Sequence, residues 1–401
     1  MKKLVSLILA IGVAAPLFAA PNTPVTLAKK SKDLSEARSL IQQAINDPQY
    51  NQQAETYYVA GIIELDAYDK ASATKMINPD DPSAAVDVMG EELYNAYNYF
   101  LKALPLDSLP NEKGQVKPKY SKDILNKIKG HQSDFFTIGA DYYNNKEYYP
   151  QAYQGFLIYG DIPTKLITND QSIVNQEQIA TSYFNAGLAA SQGGANQESA
   201  EAFKKARLAG YAQPEATIYE IACWQTIAQQ DESRINEAQD HIMEAAQAGI
   251  DQFGLDQQIF INNLINSLVS ENKTDEAIAK LNTLIDQNPD MPNLYGLRGY
   301  VYDRLENDDL SEADYRKAAS LPTADFETLK NASNKLYRVG TAKLNALEGT
   351  VADASAREDI KNNYFLQAQK YAQQANEMQP GDSYIQNILD SIDYAVTTFF
   401  N

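Results

Sequence analysis

The 401 residues include two histidines and one cysteine, which bounds the chemistry the chain could perform. His131 and His241 lie far apart, and neither has a second ligand at the i+4 spacing that a zinc-binding helix needs. His241 sits in a polar run and is expected to be solvated or to cap a carbonyl. Cys223 falls at a small, packed position with no histidine near it in sequence, the setting of an inert buried thiol. Asp308 and Asp309 precede Ser311 and Glu312, an acid followed by Glu at the spacing of a helix start, so a cap is expected rather than a cation site. Asp80, Asp81, Asp87, Glu91 and Glu92 make one acidic stretch. It lacks the alternating ligands and central glycine of a helix-loop-helix calcium site, and a solvated loop is the expectation. There is no glycine-rich phosphate loop, serine elbow or paired-cysteine zinc pattern. Nothing in these residues argues for an enzyme, a metal site or a cofactor.

Charge narrows the partners. The net charge is −19 at pH 7, which disfavours nucleic acid and anionic membrane surfaces, since both require a basic footprint. Met1 to Ala19 reads as a secretory signal peptide: Lys2 and Lys3, an apolar run from Leu4 to Leu17, then small residues. That run is shorter than the ~20 residues needed to cross a bilayer, so no membrane insertion is expected after cleavage. Cleavage is placed after Ala19, because cutting after Ala20 would set Pro21 beside the scissile bond. Cys223 is too far away to carry a lipid, so the expected product is a soluble exported chain, periplasmic or secreted and not a lipoprotein. A single cysteine also rules out an intramolecular disulfide, leaving packing as the source of stability.

The elements that position everything else are helical. Within Gln258 to Asp325, Ile261, Leu264, Ile265 and Leu268 recur with the period of one helix face. After a polar turn, Ala277, Leu281, Leu284 and Ile285 draw a second stripe, which Pro289 ends. About 34 residues later the frame repeats, with Tyr295, Arg298, Gly299 and Tyr302, then Ser311, Tyr315 and Ala318. These residues resemble the tetratricopeptide repeat family: a large residue, a small one and an aromatic on the first helix, then small-large-small on the second. The resemblance implies an all-α, right-handed superhelical solenoid of antiparallel helix pairs. It also implies a non-enzymatic scaffold that holds a protein or peptide in the concave groove of its first helices.

Further units fit the frame. They are Tyr57, Ala60, Gly61 and Glu64 with Ala96, Phe100 and Ala103; Phe136, Gly139, Ala140 and Tyr143 with Ala152, Phe156 and Tyr159; and Tyr183, Ala186, Gly187 and Ala190 with Ser199, Phe203 and Ala206, followed by a looser unit at Tyr219, Ala222 and Cys223. Leu329, Ala332, Ser333 and Leu336 begin a last first helix. Its partner at Ala368, Ala372 and Ala375 is delayed by an insertion around Gly349 to Asp359. Ile385, Leu389, Ile392, Ala395 and Val396 form a closing amphipathic helix, the cap a stack requires. The expected organisation is a signal peptide (1–19), a polar tether (20–32) and degenerate repeat-like helices with a loop inserted at Ser72 to Met89 (33–104). A linker (105–119) and the main array with its capping helix (120–401) follow.

On each first helix, the positions beside the packing stripe should face the groove: Asn185, Trp224, Asn262, Asn266, Tyr300, Arg304, Lys330 and Asn334. Side-chain amides suit an extended peptide, because Asn donates and accepts at once. Trp224 has two readings, an anchor in the groove or a residue packed under the turn after Gln229. Two other roles stay open, an exported glycan-binding protein using the 26 tyrosines and a structural component of an envelope assembly.

Overall fold

The computed structural model describes residues 22–111, 113–347 and 354–400. The stretch expected as a signal peptide (1–19) and part of the expected Gly349–Asp359 insertion lie outside the described residues. Two compact units divide the chain, 1–212 and 213–401. Each is all-α and built from antiparallel helix pairs. Among the described residues the only strand-like pairing is an isolated bridge between Pro110 and Val116.

The N-terminal unit begins with α1 (Pro24–Lys30) and α2 (Leu34–Asn46). The stretch expected as a polar tether is therefore helical over most of its described length. The reason is apolar: Val25 and Ala28 bury against Ile41, Ala44, Val59 and Ala60, and Thr23 caps the helix through the amide of Thr26. α3 (Ala54–Ile77) packs along α4 (Val86–Asp107). The inserted loop is accordingly shorter than expected, since Ser72 to Ile77 continue α3 and Val86 already begins α4.

α5 (Ser121–Gly130) and α6 (Gln132–Tyr143) follow. The segment between α4 and α5, expected as a linker, contains the end of α4 and is tied down by one carboxylate. Asp107 accepts from the amides of Lys119, Tyr120 and Ser121 and from the Ser121 hydroxyl at 2.6–2.9 Å. Burial raises the affinity of that carboxyl for a proton, but these four donors outweigh it and hold its pKa below the usual value. The two compact units part after Ala212 rather than at this segment. α7 (Tyr149–Asp161), α8 (Gln176–Gln192) and α9 (Asn196–Leu208) complete the first unit, each packed on the one before.

The C-terminal unit runs α10 (Glu215–Gln230), α11 (Ile235–Phe253), α12 (Gln258–Ser270), α13 (Thr274–Gln287), α14 (Pro292–Arg304) and α15 (Asp308–Ser320). It ends with α16 (Phe326–Ala346), α17 (Ala354–Ile360), α18 (Leu366–Met378) and α19 (Ser383–Phe399). α17, the described part of the expected insertion, is helical and leads through a π-turn at Lys361–Phe365 into α18. α16 pairs with α18, and α19 covers them through Ile385, Ile388, Ile392 and Ala395. The expected capping helix is thus present.

What locks a pair is a glycine on one helix under an aromatic ring on its partner. A Cβ on Gly187 would lie 2.6 Å from the Phe203 ring, and one on Gly299 would lie 3.2 Å from Tyr315. Gly61 under Phe100 and Gly139 against Phe156 repeat the device, so helices placed in one repeat unit from the sequence do pack together. Gly340 under Tyr364 and Phe365 is a further case, which the delayed partner helix hides in the sequence.

Candidate functional site

In the C-terminal unit, successive odd-numbered positions in the stack are occupied by even-numbered helices α10, α12, α14 and α16, the first helices of the pairs. Their polar residues meet on one face. Gln225 on α10 donates its side-chain amide to Asn263 on α12 at 2.7 Å. Asn293 on α14 donates to Asn262 on α12 at 3.1 Å. Two of the three steps between these helices are therefore bridged amide to amide. Asn266 lies one turn beyond Asn262 on α12 and is exposed; Tyr300 on α14 and Asn334 on α16 are half-buried; Arg304 ends α14 in solvent.

Lys330 is half-buried and differently occupied. Its ammonium donates to Glu327 at 2.6 Å and sits 5.0 Å from the Phe326 ring centre. Beside this face, Lys335 is buried at 3% exposure and binds Asp303 and Asp308, the latter at 2.8 Å. Its ammonium lowers the pKa of the Asp308 carboxyl. Asp303 also accepts from the Ser311 hydroxyl at 2.7 Å, so one buried cation ties α14, α15 and α16 together. Sequence gives little warning of Lys335, because its two acids lie on other helices.

The cap expected from Asp309 and Glu312 lies two residues earlier. Asn307 caps α15 by accepting from the Leu310 amide at 3.2 Å. Asp308 and Asp309 fill the first turn, where negative charge complements the helix dipole.

Trp224 does not line a groove. It is 3% exposed and stacks on His241 with ring centres 4.0 Å apart and planes at 14°. The register of α10 explains the correction. Ala216, Thr217, Glu220, Ile221, Trp224 and Ile227 form its buried stripe, whereas Tyr219 and Ala222, expected to pack, are exposed. His241 is consequently half-buried, with its ring stacked on the indole rather than fully solvated. Cys223 is buried, as expected. His131 bonds Asp134 through Nδ1 at 2.8 Å. Among the described residues no three His, Cys, Asp or Glu side chains are grouped so as to hold a metal ion.

Asn185 belongs to the N-terminal unit and to a separate depression. With Leu188 on α8 it lines a cleft of about 240 Å³ whose other walls are Ala140, Tyr143, Asn144 and Phe156.

No family model matches the chain, and no curated protein matches it. Solved structures resemble it more distantly. A tetratricopeptide-repeat protein from Bacteroides fragilis is 15% identical at a TM-score of 0.34, covering 67% of this chain and 98% of its own. One from Parabacteroides merdae is 11% identical at 0.34, covering 66% and 99%. Yeast Tom70 is 13% identical at 0.30, covering 91% and 87%. Likeness at that level says nothing about partner or activity. The fold itself rests on the helix pairs and glycine–aromatic locks, which define a tetratricopeptide-like all-α solenoid packing in each unit. Among the described residues no helix is long and apolar enough to cross a membrane.

Proposed function

We propose that this chain is a non-enzymatic scaffold whose C-terminal unit holds an extended segment of a partner protein on the amide-lined face of α10, α12 and α14. The observation that carries the reading is the pair of bridges Gln225–Asn263 and Asn262–Asn293. Each bridge joins a donor and an acceptor of the same kind as a peptide group. A partner backbone can therefore replace them bond for bond, and little is lost in opening them because a hydrogen bond contributes only ~1 kcal/mol net. Asn266, Tyr300 and Asn334 extend the surface, and Tyr300 supplies apolar contact beside the amides. Met1–Ala19 is proposed as the export signal, so that the partner is met outside the cytoplasm. Sequencing the N-terminus of the exported chain, with Ala20 as the expected first residue, checks this part.

The binding reading is tested with peptides selected against the purified chain from a random displayed library. The double variant Asn262→Ala, Asn263→Ala should bind them at least tenfold more weakly with an unchanged melting temperature. A photo-crosslinker at Asn266 should capture the peptide, while one at Thr283, exposed on α13, should not. Equal capture at both positions, or undiminished binding by the double variant, overturns the reading.

A further inference from the structure

An apolar cleft opens in the N-terminal unit where α1, α2 and α3 meet. It holds about 320 Å³, at the lower end of the ~300–1,000 Å³ typical of small-ligand pockets. Its α3 wall runs from Tyr58 and Val59 through Ile62, Ile63 and Asp66 to Lys70, which makes it a trough about 16 Å long at the rise of an α-helix. Ile62 and Ile63 are half-buried, and Leu34 of α2, which also lines the trough, is 39% exposed. Apolar side chains are thus left open to solvent at a place where three lysines, Lys29, Lys32 and Lys70, complete the lining.

The charges select the occupant. Lys29, Lys32 and Lys70 are exposed, and none is ion-paired with a carboxylate of the described residues. Other lysines of the chain do hold an acid, among them Lys75, Lys129, Lys330 and Lys335. Two carboxylates share the lining, Asp33 and Asp66. Asp33 is committed to the α2 cap, its Oδ1 accepting from the Glu36 amide at 2.8 Å. Burial raises the pKa of the Asp66 carboxyl, and the Lys127 ammonium opposes that rise. Lys127 belongs to α5, which Tyr58 fastens to this wall by donating to Asp123 at 2.8 Å and by stacking on Tyr120 with ring centres 4.5 Å apart. A chain of net charge −19 therefore turns a lysine-rimmed apolar trough to solvent.

We propose that this trough binds a free single-chain anionic amphiphile, an acyl chain ending in a carboxylate, with the chain on Leu34, Ile62 and Ile63 and the carboxylate among Lys29, Lys32 and Lys70. Each half of such a ligand answers one half of the lining. Covering the apolar wall supplies the driving force, since apolar area removed from water is favourable in proportion to its extent. The ammonium groups supply three donors each on long stems, which can lie along the same wall while their heads meet the carboxylate. A small anion without a chain fits less well, because an exposed ion pair is worth only ~0–1 kcal/mol. An anionic bilayer fits less well too. It would bring the rest of an acidic surface within a Debye length of like charge, whereas a single molecule meets only the lining. The site does not rest on the amide-lined face of the C-terminal unit. Loss of peptide binding in the Asn262→Ala, Asn263→Ala variant would leave it untouched.

The test uses the exported chain and dansylaminoundecanoic acid, kept below its micelle concentration, whose emission rises and shifts blue in an apolar site. The acid should bind. Its methyl ester should bind at least fivefold more weakly, as should the acid to the triple variant Lys29→Gln, Lys32→Gln, Lys70→Gln. The triple variant Lys113→Gln, Lys146→Gln, Lys370→Gln removes three exposed charges elsewhere and should change affinity less than twofold. Leu34→Gln should weaken binding at least threefold, and dansylglycine, which lacks the chain, should not bind. Should Leu34→Gln lower the melting temperature, the two lysine variants decide instead. No binding of the acid, equal binding of acid and ester, or equal effects of the two lysine variants would each overturn the assignment. Capture of phosphatidylglycerol vesicles without binding of the free acid would overturn it in favour of a membrane surface.

Discussion

Trp224 stacks on the His241 ring, and the Arg234 guanidinium lies 5.6 Å from the indole centre. Its Nε1 is buried and has no acceptor, so the residue contributes through apolar area and stacking rather than through its polar handle. Trp224→Ala should therefore cost ~3–5 kcal/mol, the usual range for removing a large buried aromatic. Trp224→Phe keeps most of the ring and removes the unpartnered donor, so its cost should be much smaller. As the single tryptophan, Trp224 should emit blue, quencher-resistant fluorescence in the free protein. Red, quenchable emission with an alanine variant of unchanged melting temperature would put the indole back on the surface. The error about this residue has a specific origin. Tyr219, Ala222 and Cys223 offer one plausible stripe, while Ile221, Trp224 and Ile227 offer another a step away around the helix. Choosing between them needs the partner helix, because the side of α10 that buries is decided by α11 and His241. Asn262 and Asn266 escaped this ambiguity, since α12 has a strong apolar stripe at Ile261, Leu264, Ile265 and Leu268, all of it buried.

At the scale of the helix pair, the fit of glycine to aromatic ring sets a graded expectation. Gly187 is the tighter case, with a notional Cβ 2.6 Å from Phe203, whereas at Gly299 the nearest Tyr315 atom is 3.2 Å away. The helical propensity of alanine favours both substitutions by roughly 1 kcal/mol, so their signs turn on whether the ring can yield. Phe203 is 1% exposed and has little freedom to retreat. Gly187→Ala should destabilise by ~1–3 kcal/mol through overpacking, and Gly299→Ala should lie within ~1 kcal/mol of the parent. Thermal melts of the two variants check the order, and a reversed order would mean that helix approach is not what these glycines provide. These pairs were readable because each glycine and its ring lie within one repeat frame. Gly340 and Phe365 were not, because the residues between them include α17 and a π-turn and break the spacing. The α1 helix was missed for a related reason. Three lysines and a proline within residues 22–32 make the stretch look like a tether, yet two small apolar residues, Val25 and Ala28, suffice to seat α1 on α2 and α3.

For the whole molecule, the sequence made the helix-pair stack plain but set its main boundary at the wrong feature. Pro105 to Lys119 has the prolines, glycine and charge of a linker, and what it lacks in apolar stripe is supplied by Asp107, whose four hydrogen bonds act across more than ten residues of chain. The actual division falls after Ala212, in a short turn where Gly210 takes a left-handed backbone (φ 83°) and Pro214 precedes α10. A composition scan passes over so short a turn. The division has an energetic consequence, because stability in helical arrays is close to a sum over repeats and their nearest neighbours. Core clusters at the two ends of the chain are each assembled from one unit alone. Val25, Ile41, Val59 and their neighbours make one, and Leu336, Phe365, Ile392 and theirs make the other. Residues 20–212 and 213–401, produced separately, should therefore each give a helical circular dichroism spectrum and a cooperative melt. The C-terminal fragment should keep the blue Trp224 emission. A fragment that is unfolded alone but gains helix when mixed with the other would show that the units fold only as one body, and a division of the chain after Ala212 would then have no thermodynamic meaning.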